Sequence, residues 1–213
     1  MDEQFWHDRW QRREIGFHRE QINPLLPAYF PALALQHGQT VFLPLCGKTK
    51  DTSYFLQQGL RVVGVELSQV AVQELFAELG LQAHITDSTE VQDLRCYQAE
   101  HLTIFVGDFF KLTAEHVGTI DAIYDRAALV ALPFVMRQAY TQHLRKLSLT
   151  APQLLITYEY DQSVVEGPPF SISRQEVEQH YADSYVITAL HTADVEGGMK
   201  GKTSSSETVF LLH

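Results

Sequence analysis

Two short apolar runs, the second ending in an acid, constrain this chain more than anything else in it. Val41-Phe42-Leu43-Pro44-Leu45 breaks at Cys46-Gly47, and Val62-Val63-Gly64-Val65 ends in Glu66-Leu67-Ser68. Both have strand length, and Lys50–Gln58 between them reads as a helix, so together they predict a βαβ unit. An acid at the tip of the second strand, about twenty residues after a glycine turn, suits the diol of a ribose in a nucleoside crevice. A carboxylate accepts from both hydroxyls at once, and a low-dielectric crevice strengthens both bonds.

The strand-then-acid pattern repeats. Leu102–Val106 ends in Gly107-Asp108, and Ile120–Tyr124 ends in Asp125-Arg126. Helical spacing is predicted over Gln69–Leu79, closed by Gly80, and over Arg137–Leu147, with a buried strand at Leu154–Tyr160. Ser173-Arg174-Gln175-Glu176 reads as a capping box opening a helix to Ala182. Tyr185–His191 and Thr208–Leu212 read as the last strands, with a hairpin loop over Gly197–Ser206. Alternating strands and helices imply an α/β fold with a mostly parallel sheet covered on both faces. No helix fits between the last two strands, so one of them must run antiparallel. The expectation is a Rossmann-like sheet of seven strands ending in an antiparallel hairpin.

Ahead of the sheet, Phe5, Trp6, Arg9, Trp10 and Arg13 recur with helical spacing. Asn23-Pro24 opens a second helix that places Leu25, Leu26, Tyr29, Phe30 and Leu33 on its inner face, with Gly38 closing it. One domain over 1–213 is expected, with 1–39 as a helical cover and 40–213 as the cofactor-binding core.

Composition narrows the partners. The net charge is −10, and the 16 Lys and Arg residues are scattered, which argues against a phosphate-backbone ligand. Cys46 and Cys96 form no CxxC pair, which fits a reducing compartment. Neither a signal peptide nor an apolar run of about 20 residues is apparent, so a cytoplasmic protein without a membrane partner is expected. Ten histidines occur without ligand spacing, and no metal is assigned. No G-x-S-x-G supports a serine nucleophile.

Three ligands compete for the crevice. A nicotinamide dinucleotide requires G-x-G-x-x-G so that its pyrophosphate can approach the backbone. Here Leu43-Pro44-Leu45-Cys46-Gly47-Lys48 carries one glycine, and Pro44 lacks an N–H. Gly47-Lys48-Thr49 matches the tail of a P-loop, but Phe42 stands where its first glycine is required. S-adenosyl-L-methionine has no phosphate and needs only one close backbone approach. It fits best, with Glu66 on the ribose and Asp108 near the adenine.

Several segments, in order and spanning nearly the whole chain, resemble the thiopurine S-methyltransferase family of class I S-adenosylmethionine-dependent methyltransferases, in its bacterial form. They are Phe5-Trp6-His7-Asp8-Arg9-Trp10, Gly16-Phe17-His18, Phe42-Leu43-Pro44-Leu45-Cys46-Gly47-Lys48, Val63-Gly64-Val65-Glu66-Leu67-Ser68, Tyr124-Asp125-Arg126-Ala127-Ala128-Leu129-Val130-Ala131-Leu132 and Glu166-Gly167-Pro168-Pro169-Phe170. The resemblance implies that Trp10, Leu45, Glu66, Gly107, Asp108 and Arg126 bind the cofactor, and that Phe17, Arg126 and Pro169 meet the substrate. Gly107-Asp108 match the family's sequence only loosely.

The resemblance also implies methyl transfer to the sulfur of thiopurines or other aromatic and heterocyclic thiols. It extends to selenium or tellurium compounds, within a detoxifying role and in a monomer. No general base is expected, and Arg126 is the electrostatic candidate. Each residue also has a plain packing role open to it, and Arg126 an ion pair with Asp125 or Asp121. A non-catalytic cofactor-binding regulator and a nicotinamide-dependent oxidoreductase stand as alternatives.

Overall fold

The computed structural model describes residues 3–87 and 94–213. Met1 and Asp2, and with them the opening of the expected cover, lie outside the described residues. The strands are β1 (Thr40–Leu43), β2 (Arg61–Glu66), β3 (His84–Asp87), β4 (Arg95–Ala99), β5 (Leu102–Val106), β6 (Ala122–Arg126), β7 (Gln153–Tyr160), β8 (Ile187–Asp194) and β9 (Ser205–Leu212). The helices are α1 (Glu3–Gln11), α2 (Leu25–Tyr29), α3 (Asp51–Gln57), α4 (Gln69–Glu78), α5 (Ala114–Val117), α6 (Phe134–Ser148) and α7 (Arg174–Tyr181). All the described strands join one sheet in the order β3-β4-β5-β2-β1-β6-β7-β9-β8.

The central run from β5 to β7 is parallel. Strand β9 runs antiparallel between β7 and β8, as the missing helix between the last strands required. From β1 the chain winds first toward β2 and β5, then crosses to β6 and β7 on the other side. The strand order therefore reverses at β1, and a crevice opens there beyond the carboxyl ends of the strands.

The sheet has nine strands among the described residues, not seven. The additional pair, β3 and β4, forms an antiparallel hairpin outboard of β5. All of His84–Asp87 is exposed, so no alternation of apolar and polar residues announced that strand.

Strand alternation divides the core. Phe42, Val65, Ile123 and Leu155 pack under α6 and α7 with Tyr140, Leu144, Val177 and Tyr181. Val41, Val62, Tyr124 and Leu154 face the other way, onto Phe55 of α3 and Val72, Leu75 and Phe76 of α4. With side chains on both faces buried, these central strands read as continuous apolar runs.

Two expectations in the flanking elements need correction. The helix after Asn23-Pro24 stops at Tyr29, becomes a 3₁₀ turn over Phe30–Leu33, and ends where Ala34 turns left-handed at φ 51°. Pro31 cannot donate an N–H, which breaks the α-helical ladder. Gly38 instead shapes the turn into β1, donating its N–H to Gly59 O at 2.8 Å. At α7, Ser173 caps Glu176 N at 3.2 Å, but the Glu176 carboxylate does not complete a box. It accepts from Arg137 on α6 at 2.6 Å, tying the two helices together.

Candidate active site

A cavity of about 680 Å³ opens at the crevice, roofed by α1 with the segment after it, by the Gly167–Pro169 loop, and by the loop between β8 and β9. Trp10, Phe17, Leu45, Glu66, Gly107, Asp108, Arg126 and Pro169 all line it. Residues scattered over 160 positions of the chain thus share one wall, and the reason lies in the strand tips.

The tip of β2 is built around Glu66, which is 6% exposed. Its Oε2 accepts from Gly47 N and its Oε1 from Ser68 N, each at 2.8 Å. Burial raises the carboxyl's pKa, and the N–H groups of Ser68, Gly47 and Leu67 pull it back down. An ionised carboxylate has about four acceptor positions, so the two hydrogen bonds from Gly47 and Ser68 leave one position on each oxygen. Glu66 is therefore held rigidly by backbone and retains capacity for hydroxyl donors.

The turn after β1 passes through left-handed backbone at Leu45 (φ 46°) and Gly47 (φ 54°). A Cβ on Gly47 would sit 3.2 Å from Cζ2 of Trp10. The single glycine of this turn thus admits an indole from α1 as well as an unusual φ. Trp10 is 3% exposed, and its ring meets that of Phe17 edge-on at 5.6 Å. Trp6 also meets Phe17 edge-on, at 5.5 Å. Below the turn, Lys48 bridges Glu74 at 3.0 Å and Glu78 at 2.8 Å, and Arg13, just after α1, also reaches Glu74, at 2.6 Å.

At the end of β5, Gly107 adopts φ 145°, which a side chain would oppose, and donates to Glu66 O at 3.0 Å. Asp108 caps the following 3₁₀ turn, Phe109–Lys111, by accepting from Phe110 N at 3.0 Å.

At the end of β6, Arg126 opens into the cavity. Neither proposed ion pair forms. Asp125 is fully buried against α6, and Asp121 accepts from Gln39 Nε2 at 3.0 Å and Thr40 N at 2.7 Å. Among the described residues the Arg126 guanidinium has no hydrogen bond or ion pair. Pro169 O accepts from Tyr160 OH at 2.6 Å, and Phe170 N donates to Val130 O at 2.6 Å, which docks the roof loop onto the segment after β6.

Part of the wall carries no signal in the sequence. Tyr140 of α6, Tyr158 of β7, and Met199 and Lys200 between β8 and β9 also line the cavity. Lys200 Nζ donates to Glu166 O at 3.0 Å, joining that hairpin loop to the roof. Its polar composition between two strands marked a loop, but nothing local said where the loop would fold back. Among the described residues no group of three or more His, Cys, Asp or Glu is arranged to hold a metal, and no helix is long and apolar enough to cross a membrane.

Comparison with known proteins decides the family. The family model described as thiopurine S-methyltransferase matches residues 1–211. The chain belongs to the thiopurine S-methyltransferase family. It is 49% identical over 213 residues to a thiopurine S-methyltransferase of Xanthobacter autotrophicus, covering 100% of this chain and 99% of the relative. To the one from Teredinibacter turnerae it is 47% identical, covering 100% and 97%.

Solved structures agree on the fold. The Burkholderia thailandensis 1,6-didemethyltoxoflavin-N1-methyltransferase with bound S-adenosylhomocysteine has TM-score 0.63 and 15% identity, covering 99% of this chain and 86% of that one. The N-terminal domain of EvdMO1 with S-adenosylhomocysteine bound gives 0.61 and 14%, covering 100% and 97%. This family member is an S-adenosyl-L-methionine-dependent S-methyltransferase, and neither the oxidoreductase nor the regulator alternative has support. The residues present fit that cofactor: Glu66 keeps free lone pairs for a diol, and Trp10 closes the space against Gly47 that a diphosphate would need.

Proposed function

We propose that this enzyme methylates the sulfur of aromatic and heterocyclic thiols, thiopurines among them, and that Arg126 holds the sulfur as thiolate. The observation that carries this reading is a guanidinium without a hydrogen bond or ion pair among the described residues, opening into a cavity lined also by Glu66 and Phe17. When bound, the cofactor supplies an electrophilic methyl group on a sulfonium.

The protein's own residues do the rest. Glu66 accepts from the ribose hydroxyls, with its orientation already set by Gly47 and Ser68. Trp10 and Leu45 cover the methionine side, and Gly107 and Asp108 flank the adenine. Phe17 packs on the aromatic substrate, and Pro169 helps exclude water. A fixed positive charge at a site of low dielectric lowers a thiol's pKa. Rate then comes from positioning and from the preorganised charge, with no general base.

We also read residues 1–39 as a cover over a core of 40–213, in a cytoplasmic monomer with a detoxifying role and no nucleic-acid partner. The net charge of −10 and the reach of the 3–19 segment over the cavity support this reading.

The test is incubation with S-adenosyl-L-methionine and a panel of aromatic thiols of graded acidity, measuring S-adenosylhomocysteine and thioether formed. Turnover should appear with wild type, fall steeply in Arg126→Ala, and recover in part in Arg126→Lys. Equal turnover by wild type and Arg126→Ala at all pH values would refute the role of Arg126, and no turnover of any thiol would refute the substrate class.

A further inference from the structure

Arg126 poses a problem of aim. A long, flexible side chain with no hydrogen bond or ion pair among the described residues takes its exit direction from the backbone that carries it. That backbone leaves β6 at a sharp angle, with Ala127 left-handed at φ 64°. The turn is closed from below by Asp125. Its Oδ1 accepts from Leu129 N at 3.0 Å, spanning Arg126–Ala128, and its Oδ2 accepts from Tyr140 OH at 2.7 Å. Asp125 and Tyr140 are each 0% exposed, and Tyr140 is anchored in α6, the longest helix among the described residues. The closed turn continues into Val130, whose carbonyl accepts the roof's Phe170 N–H at 2.6 Å. One buried carboxylate thus fixes both the exit direction of Arg126 and the seat of the roof.

We infer that Asp125 is a positioning residue for methyl transfer, acting through the Arg126–Leu129 turn to aim the Arg126 guanidinium at the substrate sulfur. The inference rests on the reading that Arg126 stabilises the thiolate. Asp125 has no part in the cavity wall, so its influence reaches the reaction only through the residues it holds.

A double-mutant cycle on the full enzyme tests this. Asp125→Asn keeps one oxygen for Leu129 N–H but sets an amide against the Tyr140 hydroxyl. It should lower kcat/KM for an aromatic thiol by roughly ten- to a hundredfold, the scale on which small misplacements of a reacting group act. In an Arg126→Ala background the same change should cost less than about twofold, because the group being aimed is gone. The pH at which kcat/KM reaches half its plateau should rise in Asp125→Asn, as it should in Arg126→Ala. Should Asp125→Asn fail to fold, Tyr140→Phe, which removes only the hydroxyl, carries the same cycle.

Equal losses from the Asp125 or Tyr140 change in both backgrounds would show a purely structural role and overturn the inference alone. An Arg126→Ala enzyme as active as wild type would overturn the reading of Arg126, and this inference with it.

Discussion

The tips of β2 and β6 carry the same signal in the sequence, an apolar run ending in an acid, and put it to opposite use. Glu66 and Asp125 are both buried, both accept two hydrogen bonds of 3.0 Å or less, and both are pushed up in pKa by burial. Yet the bonds to Glu66 come from backbone N–H groups beside it, leaving a face of the carboxylate on the cavity. Asp125 instead takes a phenol from α6 and lies beneath the wall. The first acid is placed to meet a ligand, and the second to hold the residue next to it. Hydrogen-bond partners and facing, rather than residue type or burial, separate a binding carboxylate from a positioning one.

The largest expected effect sharpens the Asp125 side. Burial lifts its pKa from 3.8 to about 6, with Tyr140 and Tyr181 facing it. An acid whose folded-state value is raised costs stability when ionised. The penalty is absent below the unfolded value, grows as pH rises between the two values, and is complete above the folded one. Its full size is roughly 3 kcal/mol. Asp125→Asn lacks this titration, so the melting-temperature gap between wild type and variant should shift in the variant's favour from pH 3.5 to pH 7. A pH-independent gap would mean that the burial cost has been misjudged.

Next comes the other acid. Glu66→Ala should weaken S-adenosylhomocysteine binding by about 1.5–3 kcal/mol, or about ten- to a hundredfold, in a calorimetric titration. Asp125→Asn should leave that affinity closer to wild type. If the two variants weaken it equally, the contrast between the tips collapses.

Gly47→Ala probes the turn that serves Glu66. A left-handed φ of 54° and a Trp10 carbon 3.2 Å away should together cost about 1–2 kcal/mol, read as lost thermal stability and altered tryptophan fluorescence on cofactor binding. An unchanged fluorescence response would separate Trp10 from the turn.

The smallest effect belongs to the cover. Arg13, 65% exposed, shares Glu74 with the buried Lys48, so Arg13→Ala should cost under about 1 kcal/mol. Its influence on S-adenosylhomocysteine affinity should vanish in high salt. A larger loss, or one insensitive to salt, would mean that this ion pair does more than tether the cover.

Much of the fold is readable because buried parallel strands leave contiguous apolar runs, and helices between them leave spacing and glycine or serine boundaries. The βαβ unit, the antiparallel end and the strand-tip residues Glu66, Asp108 and Arg126 of the cavity wall follow from such signals, whereas Tyr140, Tyr158, Met199 and Lys200 do not. The β3–β4 hairpin does not, because the exposed edge strand β3 needs no apolar pattern and is held by pairing with β4, which in turn pairs with β5. The break at Pro31 was present in the sequence but lay under the stronger periodicity of Leu26, Phe30 and Leu33.

What the sequence by itself determined is the alternation along each strand: Ala122, Tyr124 and Arg126 share one parity and Ile123 and Asp125 the other, just as Val62, Gly64 and Glu66 share theirs. A period of two follows from the pleat and needs no partner. Only the tertiary structure decided which parity meets the cavity and which meets α6. That depends on where α6 packs, and on the cover, the roof and the β8–β9 loop closing over the same strand ends. Those segments lie far apart in the chain, and no local pattern encodes a contact whose formation depends on the sheet already being in place.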